Sequence, residues 1–474
     1  MPCQLPLVVV TLWLHFLAAV TQSAPLPDPI RQPPDLRGEA GYRFEPADEA
    51  LLDDVQRGCF LYFWREVGTP AKLAKDRKKA PVASIASVGF QLSALPIGVE
   101  RGWITRAEGF ERARTVLKAI TERDDNTKYG LYYHYLDQDT AGQSSQGYEV
   151  LVSTVDSALL IAGAIPAGEY FGGEIKSLVD QLVVEANWRA FATGPQGRIS
   201  LGWRPADPKR PAGEGDFLNE HWDYAGDEQR LIGFLAAASP DPAHAVDPQG
   251  YYQLRRTVKR HGDMLPYAVT AQGALFAYFF SHCWIDYRSL GLDDPARFGV
   301  DAVRVDWFEN SRRAVLTHRR RCAEQSGRFK SLRGDLWGLS ACAGRDGYLV
   351  PEIQPNEIDK DRWYEGTVAP YAAASSIMFA PREAMAAIRA FRGLKDAQGR
   401  PFVWRDPREG GYGFVDSFNL DQNFASDDYV GIDQGPMLLA IENARTGLIW
   451  KLFMQSETAR RGAARLHLEN EPRP

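Results

Sequence analysis

Apolar residues recur at helical spacing along most of this chain, in stretches separated by polar, glycine-containing loops, and strand-like alternation is scarce. The pattern predicts helices over residues 51–67, 84–99, 106–122, 154–170, 175–188, 228–238, 251–259, 271–280, 307–322, 368–379, 381–391 and 434–454, the last with a kink. About a dozen helices is close to the number that six helical hairpins require. Some predicted ends are punctuated: in Phe379-Ala380-Pro381 the proline falls where it can occupy the first turn of the next helix. No short-period repeat and no break in composition marks a second domain. The expectation is one large all-α domain over 43–456, with a linker at 24–42 and a tail at 457–474.

Composition narrows the picture. The 474 residues are 45% hydrophobic and 24% charged, enough to bury a sizeable core. A formal net charge of −6 without a long basic block argues against nucleic acid, whose phosphates need clustered Lys and Arg. The Arg-dense stretch from Arg312 to Arg321 falls on a predicted helix and reads as its solvated face. The apolar run Leu5 to Val20 is too short for a comfortable membrane span, and Thr21-Gln22-Ser23-Ala24 and a Pro-rich stretch follow it. That is the pattern of a secretory signal over 1–23, cleaved near Ser23 or Ala24, although no Lys or Arg precedes the apolar core. The expected location is the periplasm or the medium, with no membrane association after cleavage. Cys59, Cys283, Cys322 and Cys342 then remain. Four cysteines allow three pairings and the sequence selects none; their apolar neighbours suit buried thiols, and their spacing offers no zinc site.

An aromatic share of 11%, with 12 Trp and 19 Tyr, exceeds what a core needs, and these are the rings that offer a flat face and a polar edge together. Three loops gather them with acids. The first holds Tyr133 and His134, then Glu149, and ends at Asp156 where an apolar helix begins. Asp156 can simply favour that helix start, whereas Glu149 has no such duty. The second, Asn219 to Glu228 with Trp222 inside it, crowds four carboxylates into one short stretch, a way to raise one carboxyl pKa and make a general acid. Glu228 stands where the loop meets the apolar helix. The third runs from Tyr412 to Asp433, where Asp416 and Asp433 sit among aromatics and glycines, beside Phe418 and Gln434. Further pairings of a ring with a donor or acceptor occur at His282, Trp284, Asp286 and Arg288, at Glu309, Asn310 and Arg312, and at Trp337. Rings for stacking and two fixed acids are what glycoside hydrolysis requires. No phosphate loop, His-Glu-x-x-His zinc motif or Gly-x-Ser-x-Gly elbow competes.

At these residues the chain resembles the glucoamylase-like domain shared by bacterial endo-β-1,2-glucanases of glycoside hydrolase family 144 and the C-terminal part of cyclic β-1,2-glucan synthases. The resemblance extends from about Ala50 to Met454 and is carried by Ser84-Ile85-Ala86-Ser87-Val88-Gly89-Phe90, Ser153-Thr154-Val155-Asp156-Ser157, Ser281-His282-Cys283-Trp284-Ile285-Asp286-Tyr287-Arg288, Phe308-Glu309-Asn310-Ser311-Arg312-Arg313 and Gly431-Ile432-Asp433-Gln434-Gly435-Pro436. It implies a single (α/α)6 toroid with a cleft at one mouth and endo-hydrolysis of β-1,2-glucan to sophorooligosaccharides, with no cofactor. It also implies that Asp156, Glu228 and Glu149 fall at family acids and that Asp416, with Asp433 second, is the remaining one. Ser153, and Asp227 ahead of Glu228, depart from the family pattern. The expected mechanism is inverting, with Glu228 as general acid and Asp416 or Asp156 activating water. A non-hydrolytic glycan-binding protein, a transglycosylase, an exo-acting hydrolase and a lyase are the competing readings.

Overall fold

The computed structural model describes residues 26–31, 42–144, 149–209 and 213–468, so the expected signal segment lies outside the described residues. Fifteen helices follow one another: α1 (Pro46–Arg65), α2 (Ile85–Glu100), α3 (Arg106–Thr121), α4 (Thr154–Phe171), α5 (Gly173–Glu185), α6 (Trp188–Phe191), α7 (Asp227–Ala238), α8 (Gln249–Tyr252), α9 (Tyr287–Leu290), α10 (Trp307–Glu324), α11 (Pro370–Ser375), α12 (Pro381–Gly393), α13 (Gly431–Arg445), α14 (Leu448–Met454) and α15 (Glu457–Arg465). Their starts follow from local chemistry. Ser84 and Ser153 accept hydrogen bonds from backbone amides of α2 and α4, Thr105 and Glu108 form a capping box on α3, and prolines open α1, α11 and α12.

The helices form the (α/α)6 toroid. The inner ring runs α2, α4, α7, then two short 3-10 turns (Leu275–Tyr278 and Ser281–Cys283), α11 and α13, which closes back on α2. Outside them lie α1, α3, α5, α10, α12 and α15. Because the inner helices are enclosed on all sides, α2 and α4 are apolar almost all round and nearly every residue is buried. They approach most closely at Gly89 and Gly163, where a Cβ on Gly163 would lie 2.1 Å from the Gly89 carbonyl oxygen.

Several expectations need correction. The stretch 251–259 is helical only at its start, in α8. Beyond it Arg256 turns inward to pair with Asp293 at 2.8 Å, and Val258–Lys259 joins a hairpin with Tyr267–Ala268. In 271–280 only a 3-10 turn survives, because Gly273 takes φ +74° with no room for a Cβ beside the Ile353 carbonyl. The supposed tail contains α15, whose small residues Ala459, Gly462 and Ala463 press onto α7. The supposed linker docks in part: Ile30 is buried and bridges Val305. All four described cysteines are buried free thiols, and among the described residues no helix is long and apolar enough to cross a membrane.

One end of the ring is closed. There α14 packs on α4, Trp450 Nε1 donates to the His282 carbonyl (2.6 Å), and Asn443 Nδ2 donates to the Cys283 carbonyl (2.9 Å).

Candidate active site

The opposite end collects the N-termini of the inner helices, and backbone links tie their starts together. Ile85 N donates to the His134 carbonyl (3.0 Å), Gly431 N to the Asp76 carbonyl (2.7 Å), and Val368 bridges Phe418. Trp222 Nε1 donates to Thr154 Oγ1 (2.9 Å), joining the approach to α7 with the start of α4. Asp156, Glu228 and Asp433 therefore lie in the first turns of three inner helices, where the aligned peptide dipoles favour negative charge.

Glu228 and Asp156 form the first acid pair. Glu228 keeps partial solvent access, yet its carboxyl is pushed up to about 8, chiefly by burial, then by the neighbouring charge of Asp156 and of Asp227. Asp156 is held by Ser153, whose hydroxyl bonds its Oδ2, and His134 Nε2 stands 3.7 Å from its Oδ1. Asp227 points the other way, into the core, where it pairs with buried Arg230 and accepts the Ser281 amide. These contacts anchor the start of α7 and leave Glu228 facing the mouth.

Asp416 and Asp433 form the second. Both are buried, at 2% and 1% exposure, and their carboxyl groups are close enough to interact directly. Ala343 N donates to Asp416 Oδ2 (2.6 Å), and Tyr371, whose hydroxyl bonds Ser340 Oγ (2.8 Å) and the Ala341 carbonyl (2.9 Å), stands near Asp433. Burial raises both carboxyls above the ordinary range, Asp433 by more, because the charge of Asp416 adds to the effect. Within the six-membered ring α13 stands opposite α7, so this pair and Glu228 lie on opposite sides of the mouth.

Two flanking residues carry no signal in the sequence reading. Tyr348, on the hairpin Cys342–Gly344 with Gly347–Leu349, is 50% exposed while its phenol is crowded by Asp433 and Asp416. Arg77 lies 5.7 Å from the Tyr348 ring centroid and bridges Val430 at the start of α13. This hairpin turns on Arg345-Asp346, between the paired Gly344 and Gly347. Among the described residues no three His, Cys, Asp or Glu side chains are arranged to hold a metal ion.

Of the remaining candidates, His134 and Trp222 lie half-buried at the mouth and Tyr133 is buried in its wall. Glu149 is half-buried and engaged in an ion pair by Arg204. Others are corrected because their side chains are taken up by packing or ion pairs away from the mouth. Trp284 stacks on Phe90 at 5.0 Å and donates to Ser93 Oγ, while Trp337, Phe418, His282 and Gln434 are enclosed in the core. Glu309 is spent on Arg312 (2.8 Å) and Arg313 (2.7 Å), and Asn310 clasps the Ala268 backbone; together they secure α10. Asp286 pairs with Arg288, which lies 3.8 Å from the Trp450 ring centroid, so both belong to the closed end. Spacing alone could not separate these rings and ions from those at the mouth.

Comparison with known proteins places this geometry among relatives. Residues 220–457 match the Glycoamylase family, described as “Putative glucoamylase”. An exo beta-1,2-glucooligosaccharide sophorohydrolase (non-reducing end) from Parabacteroides distasonis is 27% identical over 461 residues, covering 88% of this chain. The chain spans 58% of the length of that curated relative. A solved structure from Bacteroides uniformis, described in the same words as the family, superposes with a TM-score of 0.75 at 27% identity, covering 90% of this chain and 98% of that one. The endo-beta-1,2-glucanase from Chitinophaga pinensis, solved with sophorotriose and glucose, shares the fold with a TM-score of 0.73 at 24% identity, over 88% of this chain and 98% of that one.

Proposed function

This chain belongs to the Glycoamylase family, and we propose that it is a glycoside hydrolase that cleaves β-1,2-glucan with inversion at the anomeric carbon. Glu228 is the general acid and protonates the leaving glycosidic oxygen. Asp416, across the mouth, is the base that draws a proton from the attacking water. The observation that carries this reading is the raised Glu228 carboxyl, at about 8 and therefore protonated near neutrality, set opposite a second acid group. Asp156 is the neighbouring charge that keeps the Glu228 proton in place, rather than the base. Inversion needs room for water, with carboxyls roughly 6.5–9.5 Å apart; Glu228 in the first turn of α7 and Asp416 on the loop against the start of α13 suit that better than a retaining pair.

The substrate class is supported by the sophorohydrolase relative from Parabacteroides distasonis and by the sequence resemblance to endo-β-1,2-glucanases. We take internal cleavage of the linear glucan as the mode of attack. The second reading, release of sophorose from the non-reducing end, is favoured by the name of that same relative. The apolar run at 5–20 supports export, which makes the chain a secreted or periplasmic hydrolase.

The test is turnover of linear β-1,2-glucan by the wild type and by Glu228→Gln, with products resolved by chain length. A ladder of sophorooligosaccharides at early times supports internal cleavage, and sophorose alone supports exo attack. Loss of turnover by about a thousandfold or more in the variant, at unchanged folding, supports Glu228 as acid. Near-normal turnover reassigns it, and an ultraviolet-absorbing unsaturated product replaces hydrolysis with elimination.

A further inference from the structure

The contact between Asp416 and Asp433 is unusual for two acids. Asp416 Oδ2 has its donor in the Ala343 amide. Its other oxygen, Oδ1, is buried and among the described residues has no hydrogen-bond donor, and the same holds for Asp433 Oδ2. Two carboxylates cannot both be charged when they face each other in a dry site, so the bond between them needs one proton. We infer that Asp433 is the positioning residue of the base: it carries a proton and donates it to Asp416, fixing Asp416 as the ionised partner with one carboxylate edge spoken for. This rests on the reading of Asp416 as the base and deepens it.

Every charged or titratable group around the pair bears on where the proton sits. From α11 the Tyr371 hydroxyl stands near Asp433 and favours its charged form, but it is engaged by Ser340 Oγ (2.8 Å) and the Ala341 carbonyl (2.9 Å). From the hairpin, Tyr348 and Cys342 face both acids; burial and the acids' charge raise the Cys342 thiol, and the same charges raise the phenol of half-exposed Tyr348, so both stay neutral. Arg77 is the cation nearby and favours ionisation of both acids, while Asp428 opposes it at Asp416. The start of α13 also favours charge on Asp433, but only through backbone partial charges. Direct contact with a second carboxylate away from water outweighs that, and the Ala343 amide selects Asp416 as the group that keeps the charge. Among the described residues no other supplies a donor to Asp416 Oδ1.

The experiment uses the whole chain with Asp433→Asn, Asp433→Leu and Asp416→Asn. In an Glu228→Gln background, which removes the protonated Glu228 from the signal, infrared spectra at neutral pH are expected to show a protonated-carboxyl band that disappears in both Asp433→Asn and Asp416→Asn. A proton held for its own sake by either acid would survive loss of the other, and that result, or no such band at all, overturns the inference. With Glu228 restored, Asp433→Asn, which still donates a hydrogen bond, is expected to keep kcat/KM on β-1,2-glucan within about fivefold. Asp433→Leu is expected to move the acidic limb of the pH profile upward by about one unit, because Asp416 loses its donor. Equal damage in the Asn and Leu variants means Asp433 acts as an anion, and overturns the inference. Circular dichroism checks each fold; should the Leu variant not fold, the infrared pair decides alone. Because the spectra need no substrate, a shared proton in a protein inactive on glucans sinks the enzymatic reading, whereas activity without the proton sinks this inference only.

Discussion

Asp156 and Glu228 occupy the first turns of adjacent inner helices, and after burial it is the charge of Asp156 that raises the Glu228 carboxyl most. Adjacent acids of this kind divide labour: Asp156, held by the hydroxyl of Ser153, is the charge that helps keep the proton on Glu228. Replacing Asp156 by Asn removes the charge while keeping the shape. The Glu228 pKa should then fall, moving the alkaline limb of kcat/KM down by about one unit. A pH profile of the variant on β-1,2-glucan checks this, and an unmoved alkaline limb would separate Asp156 from Glu228 electrically.

The same raised carboxyl makes a stability prediction with a definite sign. Between the ordinary value of 4.5 and about 8 the folded protein retains a proton on Glu228 that the unfolded chain has released. Folding stability must therefore fall as pH rises through that window, by linkage. Glu228→Gln has no proton to retain and escapes the loss. Relative to wild type it should gain about 1–2 kcal/mol between pH ~5 and pH ~8.5, a figure reduced for the partial solvent access of Glu228. Denaturant unfolding at the two pH values measures it, and a constant difference between the proteins would contradict the raised pKa.

How much of this was legible in the sequence depends on how local the cause is. Helices such as α2, α3 and α4 are set by their own caps and apolar spacing, and the predicted spans agree with the observed ones to within a residue or so at most ends. The stretches that failed are governed from afar: Arg256 is drawn in by Asp293, and Gly273 is pressed by Ile353. The site shows the same division. Asp416 and Asp433 stood out because each interrupts an aromatic or glycine-rich context, and Asp156 and Glu228 because each stands where an acid-bearing loop meets an apolar helix. Trp284 and Trp337 share that context and are core, since one sequence pattern serves both a ring facing sugar and a ring facing another helix. Tyr348 and Arg77 reach the site only through folding of a hairpin and a loop, and no short-range signal joins them to the acids.

Close approach of α2 and α4 sets the width of the ring on the Asp156 side, and it depends on two facing glycines. A Cβ added at Gly163 would lie 2.1 Å from the Gly89 carbonyl oxygen, with backbone rather than a flexible side chain as the obstacle. Gly163→Ala should accordingly destabilise the fold by roughly 2–4 kcal/mol despite the better helix propensity of alanine. Thermal and denaturant melts check this. A neutral or stabilising effect would mean that the helices can part at no cost.

Tyr348 presents half its surface beside two acids, with Arg77 near its ring, and no part of the core needs that exposed face. An open aromatic at the rim of a polar cleft is suited to lie against the apolar face of a glucose ring. Since such a contact forms with the ground state and the transition state alike, its loss should appear in KM more than in kcat. Tyr348→Ala is expected to raise KM for β-1,2-glucan about tenfold, equivalent to roughly 1.4 kcal/mol of binding. Tyr348→Phe, which keeps the ring and drops the hydroxyl, should stay within about twofold of wild type. Equal loss in both variants would assign the effect to the phenol hydroxyl beside Asp433 instead of to stacking, and an unchanged KM in the alanine variant would remove Tyr348 from the path of the substrate.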